Sequence, residues 1–262
     1  MGILLLKLCL APVLVVGSTV AGRRWGADVA GILVGLPIVA GPILVISHLL
    51  HGAGFTAGAA RSSLLGLVAL AVFAVVFAHV ARRFGWLVTT AVSWLAVLVV
   101  DVVLSLLRVW AVGAFAITVV AAAVALLLMP TVEPERLDGT RPPSWDLPGR
   151  AIATGLLVLA VTTASGALGP QWTGLLAPFP VATTVVAGFV HAQQGSAATA
   201  RTLAGVLVGL FGFAVFCLFV AVFVGRMGGV VFFAAAGVTV VVQLLVMRVR
   251  RVLRDRRTAP VR

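Results

Sequence analysis

Two histidines, His48 and His191, stand at matching places in two stretches of otherwise apolar sequence. An imidazole gains and loses a proton near neutral pH. Inside a membrane segment an ionisable group is costly, turns toward the helix bundle and often marks a path for protons or solute. The competing reading sets both histidines at the lipid interface, near helix ends, where His51 and His79 also fall. Asp101 is the only acid well inside an apolar run, and Gln243 falls close to the corresponding place further on. One reading makes Asp101 a proton-accepting or cation-binding carboxylate with Gln243 as its uncharged counterpart. The other pairs it with Arg108, seven residues later and on the same helical face. Arg61 and Arg201 offer planar donor forks for an anion, or snorkel to lipid headgroups.

These side chains are carried by segments that proline and glycine interrupt. Pro37 and Pro42 lie in one apolar run, Pro178 and Pro180 in its counterpart, and Gly35 and Gly41 flank the first pair. A proline removes a backbone donor and clashes with the carbonyl one turn earlier, so local unwinding is expected there. Paired Gly/Pro interruptions in matching places are the usual sequence pointer to a transporter site. Proline and glycine are also commoner in membrane helices generally. Pro37, His48, Asp101, Pro180, His191 and Gln243 are therefore the candidate substrate-binding or pathway residues, with Arg61 and Arg201 as weaker anion contacts.

Other chemistry finds no support. There is no P-loop, no His-Glu-x-x-His or Cys-x-x-Cys spacing for a metal, and no credible Ser/His/Asp set. No cofactor or metal is expected, and no enzyme.

Composition sets the class. Of 262 residues 62% are hydrophobic and 10% charged, against about a quarter charged in soluble domains. The excess comes as repeated runs of bilayer-crossing length, so the chain reads as an all-α integral membrane protein. Helices are expected near 3–21, 27–50, 62–80, 85–106, 109–129, 151–169, 173–192, 203–225 and 228–247. Cys9 and Cys217 fall inside such runs and are expected as free thiols. The polar stretch Pro130 to Arg150, with Glu133, Glu135, Asp138, Asp146 and the prolines Pro142, Pro143 and Pro148 among others, reads as a solvated linker. Asp28 is expected to start the second helix, and Gly205, Gly209 and Gly212 suit close helix packing.

Net charge is +12, and seven arginines lie between Arg248 and Arg262. Such a tail suits anionic headgroups on the cytoplasmic side better than nucleic acid. With the C-terminus in the cytoplasm and nine spans, Arg23, Arg24, Arg82, Arg83, the linker arginines and Arg201 fall inside. Arg61, Arg108 and Arg226 fall in outer loops. The N-terminus is then outside, in an inner or plasma membrane.

An internal repeat organises these spans. Gly31-Ile-Leu-Val-Gly-Leu-Pro37-Ile-Val answers Gly174-Leu-Leu-Ala-Pro-Phe-Pro180-Val-Ala at one constant offset, which also brings His48 onto His191 and Gly52 onto Gly195. A small shift aligns Ala60-Arg61-Ser62 with Ala200-Arg201-Thr202. The expected organisation is a four-helix repeat (1–107), a linking helix (108–129), a cytoplasmic linker (130–150), a second four-helix repeat (151–247) and a basic tail (248–262). An even repeat plus one linking helix starts the second copy on the opposite side, so this 4+1+4 arrangement is inverted.

The segment Trp172 to Phe211 carries Gly-Leu-Leu-Ala-Pro-Phe-Pro, a following His191 and Ala-Arg-Thr-Leu-Ala-Gly, and it resembles the small GlpM-type inner-membrane proteins. The resemblance covers about forty residues well and the first half more loosely, and the interval from Pro180 to His191 is longer than the family pattern. It implies a fused pair of such units and carries no substrate.

Inverted repeats recur among secondary transporters, whose sites lie near the bilayer midplane. The leading expectation is a gradient-driven transporter, flippase or channel for a small anionic or neutral solute or lipid headgroup, seated between the repeats. The alternative is a non-transporting scaffold or accessory subunit with a protein partner.

Overall fold

In a computed structural model the chain is described over residues 2–37, 40–106, 109–131, 143–167 and 179–258. The described residues are helical and contain no strand. The elements are α1 (Gly2–Trp25), α2 (Ala27–Gly35), α3 (Ala40–Val80), α4 (Trp86–Ser105), α5 (Ala111–Leu128), α6 (Asp146–Ala167), α7 (Val181–Met227) and α8 (Val230–Thr258).

On α4 and α5 burial runs opposite to that of a water-soluble protein. On α5 the inward residues are Ala114, Thr118, Ala122 and Ala125, while Val112, Val120 and Leu127 point outward. On α4 Thr89, Ser93, Val97, Asp101 and Leu104 face inward at intervals of about one turn, and Leu95, Val99 and Val103 face out. Small and polar residues let backbones approach and hydrogen-bond across helices, and large apolar ones meet lipid. Five stretches are long and apolar enough to cross a membrane: Val29–Val80, Trp86–Ser105, Ala111–Leu128, Val181–Met227 and Val230–Val249.

Two of these are far longer than one crossing. α3 has 41 residues and α7 has 47, against about 20 for a bilayer. Each is divided by a glycine in the same conformation: Gly52 at φ 79°, ψ −176° and Gly195 at φ 79°, ψ −177°. That corner of backbone space is open essentially only to glycine. Each break is closed by a threonine, with Thr56 Oγ1 donating to the Gly52 carbonyl at 2.9 Å and Thr199 Oγ1 to the Gly195 carbonyl at 2.8 Å.

The element boundaries differ from the expected ones in ways that matter. The helix expected over 27–50 is interrupted at Leu36 and Pro37, where Leu36 is extended, as the proline cluster implied. The helix expected from residue 62 begins directly after Gly52, leaving no loop over 51–61. α6 begins at Asp146 rather than 151, so the end of the expected linker is helical. α8 runs on to Thr258 rather than stopping near 247. The first part of the helix expected over 173–192 lies outside the described residues, and α7 occupies the rest.

α3 and α7 form the centre. Leu64, Phe73 and Phe77 from α3 and Leu203, Leu207 and Leu210 from α7 are almost wholly buried. Around them α4 and α5 pack on α3, α8 and α2 pack on α7, and α1 lies against α2 and α6. The closest approach is between α2 and α7. A methyl at Gly31 would land on the Thr202 carbonyl oxygen, and one at Gly209 would lie 2.7 Å from both Gly35 Cα and the Ile32 carbonyl oxygen. Gly31 and Gly35 thus cross Gly205 and Gly209 backbone to backbone, as small-xxx-small pairs do in membranes.

Candidate functional site

The interruption at Leu36 and Pro37 and the start of α7 after Pro180 are both seated on helices from the other part of the chain. At the first, Pro37 has no N–H to offer and the Leu36 amide turns back to the Leu33 carbonyl at 3.3 Å. The helix restarts with Gly41 N–H donating to the Pro37 carbonyl at 2.8 Å. This interruption faces α7 and α8: the Leu36 side chain borders the space over Gly212, which Gln243 and Thr239 of α8 also border. At the second, Phe179 and Pro180 lead into α7 and meet α4. Trp94 packs edge-on to Phe179 at 5.2 Å and donates its indole N–H to Thr184 Oγ1 at 3.1 Å.

The two arms that follow, 40–51 and 181–194, carry the histidines, each docked against a hairpin of the other part. His48 lies edge-on to Phe232, 5.8 Å away at the start of α8. His191 lies edge-on to Phe77, 6.1 Å away near the end of α3. In both rings Nδ1 is buried without a hydrogen-bond partner. The two histidines occupy separate places, and neither is fully exposed.

Asp101 is 4% exposed on the inward face of α4 and has no ion-pair partner among the described residues. Arg108, its expected partner, lies outside them. Gln243 is equally buried. Its amide nitrogen points to the Val208 carbonyl at 3.4 Å, leaving Oε1 buried and unpartnered over Gly212. Thr239, one turn earlier on the same face of α8, also has a buried, unpartnered hydroxyl.

Arg61 is exposed and borders an open groove of about 370 Å³ with Gly58, Trp110 and Ala221. Arg201 is half-buried with its Nε unpartnered. The shift needed to align these two arginines has no counterpart in the backbone, because both helices run on unbroken from their glycines. Arg61 is therefore three positions further from Gly52 than Arg201 is from Gly195.

One cluster was invisible in the sequence. Asp146, read there as part of a solvated linker, is fully buried and accepts three hydrogen bonds. Arg23 Nη2 of α1 lies 2.5 Å from its Oδ2, while Arg150 Nε (2.9 Å) and Gln193 Nε2 of α7 (2.6 Å) reach Oδ1. Arg150, 2% exposed, also lies over the Phe189 ring at 5.0 Å. Burial by itself raises the Asp146 pKa, but the bonds from Gln193, Arg150 and Arg23 and the Arg150 charge outweigh it and hold the carboxyl below its usual value. The residues precede the apolar stretch of α6, and Gln193 stands two positions before the Gly195 break. The cluster thus ties the arm of α7 to α1 and α6. The only local hint was an Asp and an Arg spaced i,i+4.

The described residues hold no cluster of His, Cys, Asp or Glu able to bind a metal. No protein-family model, curated protein or solved structure matches the chain.

Proposed function

We propose that this chain is a gradient-driven membrane transporter built of nine spans in a 4+1+4 inverted repeat, moving a small anionic or neutral solute or a lipid headgroup. The observation that carries this reading is the matched pair of glycine breaks at Gly52 and Gly195. Each divides a helix too long for one crossing, so the five long apolar stretches become seven spans, and α1 and α6 complete nine. Each break is preceded by an arm docked on the other half. Discontinuous helices at a repeat interface are where secondary transporters place their sites, and arms hinged at glycines are the elements that rock.

In this reading the arms 40–51 and 181–194 alternate in leaving the opposing half. Pro37, His48, Asp101, Pro180, His191 and Gln243 border the path, and Arg61 and Arg201 attract anions at its two ends. The cluster around Asp146 holds the second arm closed on the cytoplasmic side. The likeness of residues 172–211 to GlpM-type proteins fits a fused pair of half-length units. A second reading, a scaffold with a protein partner, is favoured by the separation of His48 from His191.

The test is flux into proteoliposomes. Wild type, Gly52→Ala and Gly195→Ala are loaded against a panel of small anions, neutral solutes and labelled lipids under imposed proton and sodium gradients. One solute class is expected to accumulate with wild type and to slow sharply in both variants. Folded wild type that moves no member of the panel would sink the transporter reading and leave the scaffold.

A further inference from the structure

We infer that Gln243 and Thr239, beside Gly212 and the α2 interruption, form a binding site for a small monovalent cation, sodium in the first place. Both side chains are 4% exposed and both keep an oxygen with no partner. A buried polar atom left unpaired is costly, and two such atoms one turn apart on one helix face call for a common explanation.

Thr239 departs from the habit of its neighbours. Thr56, Thr118, Thr154, Thr199 and Thr202 each return the hydroxyl to the carbonyl four residues back. Thr239 does not, although Ala235 offers the same carbonyl. The orientation of Gln243 is set by chemistry, because the atom facing the Val208 carbonyl must be the donor nitrogen. Its Oε1 is thereby committed as an acceptor over Gly212.

The identity of the ligand follows from charge and size. The unpartnered atoms are oxygens of uncharged side chains, an amide Oε1 that only accepts and a hydroxyl, and they carry no positive charge to hold an anion. Neither side chain is a carboxylate, and a divalent ion would ask for several. Neutral oxygens suit one positive charge. Oε1, the Thr239 side chain and Leu36 close tightly over Gly212, where an added methyl would lie 2.7 Å from Oε1, 3.3 Å from Thr239 Cγ2 and 3.5 Å from Leu36, which leaves no place for part of a larger solute. The helix ladder stops alongside, at Leu36 and Pro37, and interrupted helices are where membrane transporters coordinate their coupling ions. That sodium drives transport rests on the transporter reading; that it binds does not.

Thermal unfolding of the detergent-purified chain at fixed ionic strength tests the site, with sodium, lithium, potassium or choline chloride as the only variable. Wild type is expected to melt at a temperature that rises saturably with sodium and lithium, less with potassium, and not with choline. Gln243→Leu removes the unpaired oxygen and is expected to fold while losing the sodium response. Thr239→Val, which keeps the shape, weakens the response and serves if the leucine variant does not fold. Gln243→Glu strengthens it. Equal melting in sodium and choline would overturn the site and leave both oxygens to buried water. So would a full sodium response in Thr239→Val and Gln243→Leu. Sodium binding without any solute flux would instead reject the transporter reading and keep the site.

Discussion

Replacing Gly209 by alanine adds one methyl group at the tightest helix crossing among the described residues. That methyl would sit 2.7 Å from Gly35 Cα and 2.7 Å from the Ile32 carbonyl oxygen. Both are backbone atoms of α2, so no side chain can swing aside. Ordinary carbon contacts lie at about 3.5–4.0 Å, and α2 must therefore move off α7 by about 1 Å. A gap of that size forfeits a quarter to a half of the dispersion attraction along the seam, and overpacking of this kind costs about 1–3 kcal/mol. The upper end is expected here, because Gly31 and Gly35 make the same backbone approach and lose it together. Gly155→Ala on α6 is the control: nothing lies within 4 Å of its added methyl. Alanine also favours the helix by up to about 1 kcal/mol, so stability should hold or rise slightly. The assay is unfolding in mixed micelles titrated with a denaturing detergent, both variants beside wild type. Equal stability of Gly209→Ala and Gly155→Ala would refute the reasoning, since it would mean that α2 does not lie backbone to backbone on α7.

Asp146→Asn removes the only negative charge from a buried cluster holding Arg150 and Arg23, and a loss of about 3–5 kcal/mol is expected, nearly all through the buried Arg150. The carboxyl titrates below its usual value of 3.8 in the folded chain. Its contribution is therefore complete above the unfolded value and is lost as pH falls through the lower folded one. Wild-type stability should lack any Asp146 step between pH 7 and 5 and lose that contribution only below pH 4, a loss absent from the variant; unfolding measured across that range checks both. The proposed nine-span arrangement would put the α3–α4 turn and the start of α5 on opposite sides of the membrane. With both native cysteines replaced, an impermeant maleimide on intact cells should label Trp110→Cys at once and Phe84→Cys only after lysis. Labelling of both from one side would reject the arrangement.

What the sequence determined by itself is the part of the structure that depends on local composition. Apolar runs of bilayer length specify helices wherever they occur, since a backbone in lipid must satisfy its own hydrogen bonds. Pro37, lacking an N–H, interrupts its helix without help from any neighbour. Gly52 and Gly195 were legible as equivalent positions because repeated residues surround them. Their shared role as breaks inside continuous helices was not, because nothing in the small and polar residues over 51–61 marks that stretch as helix. Tertiary structure decided everything that needs a second segment. Asp146 reads as a solvated acid until Arg23 and Gln193, far away in the chain, bury it. Gly31 and Gly35 are merely small until Gly205 and Gly209 lie across them. Gln243 is one polar residue in an apolar run, and only its placement over Gly212 leaves its oxygen without a partner. Hydrophobicity and backbone freedom belong to single residues and their near neighbours. Burial, pairing and the absence of a partner belong to the whole fold.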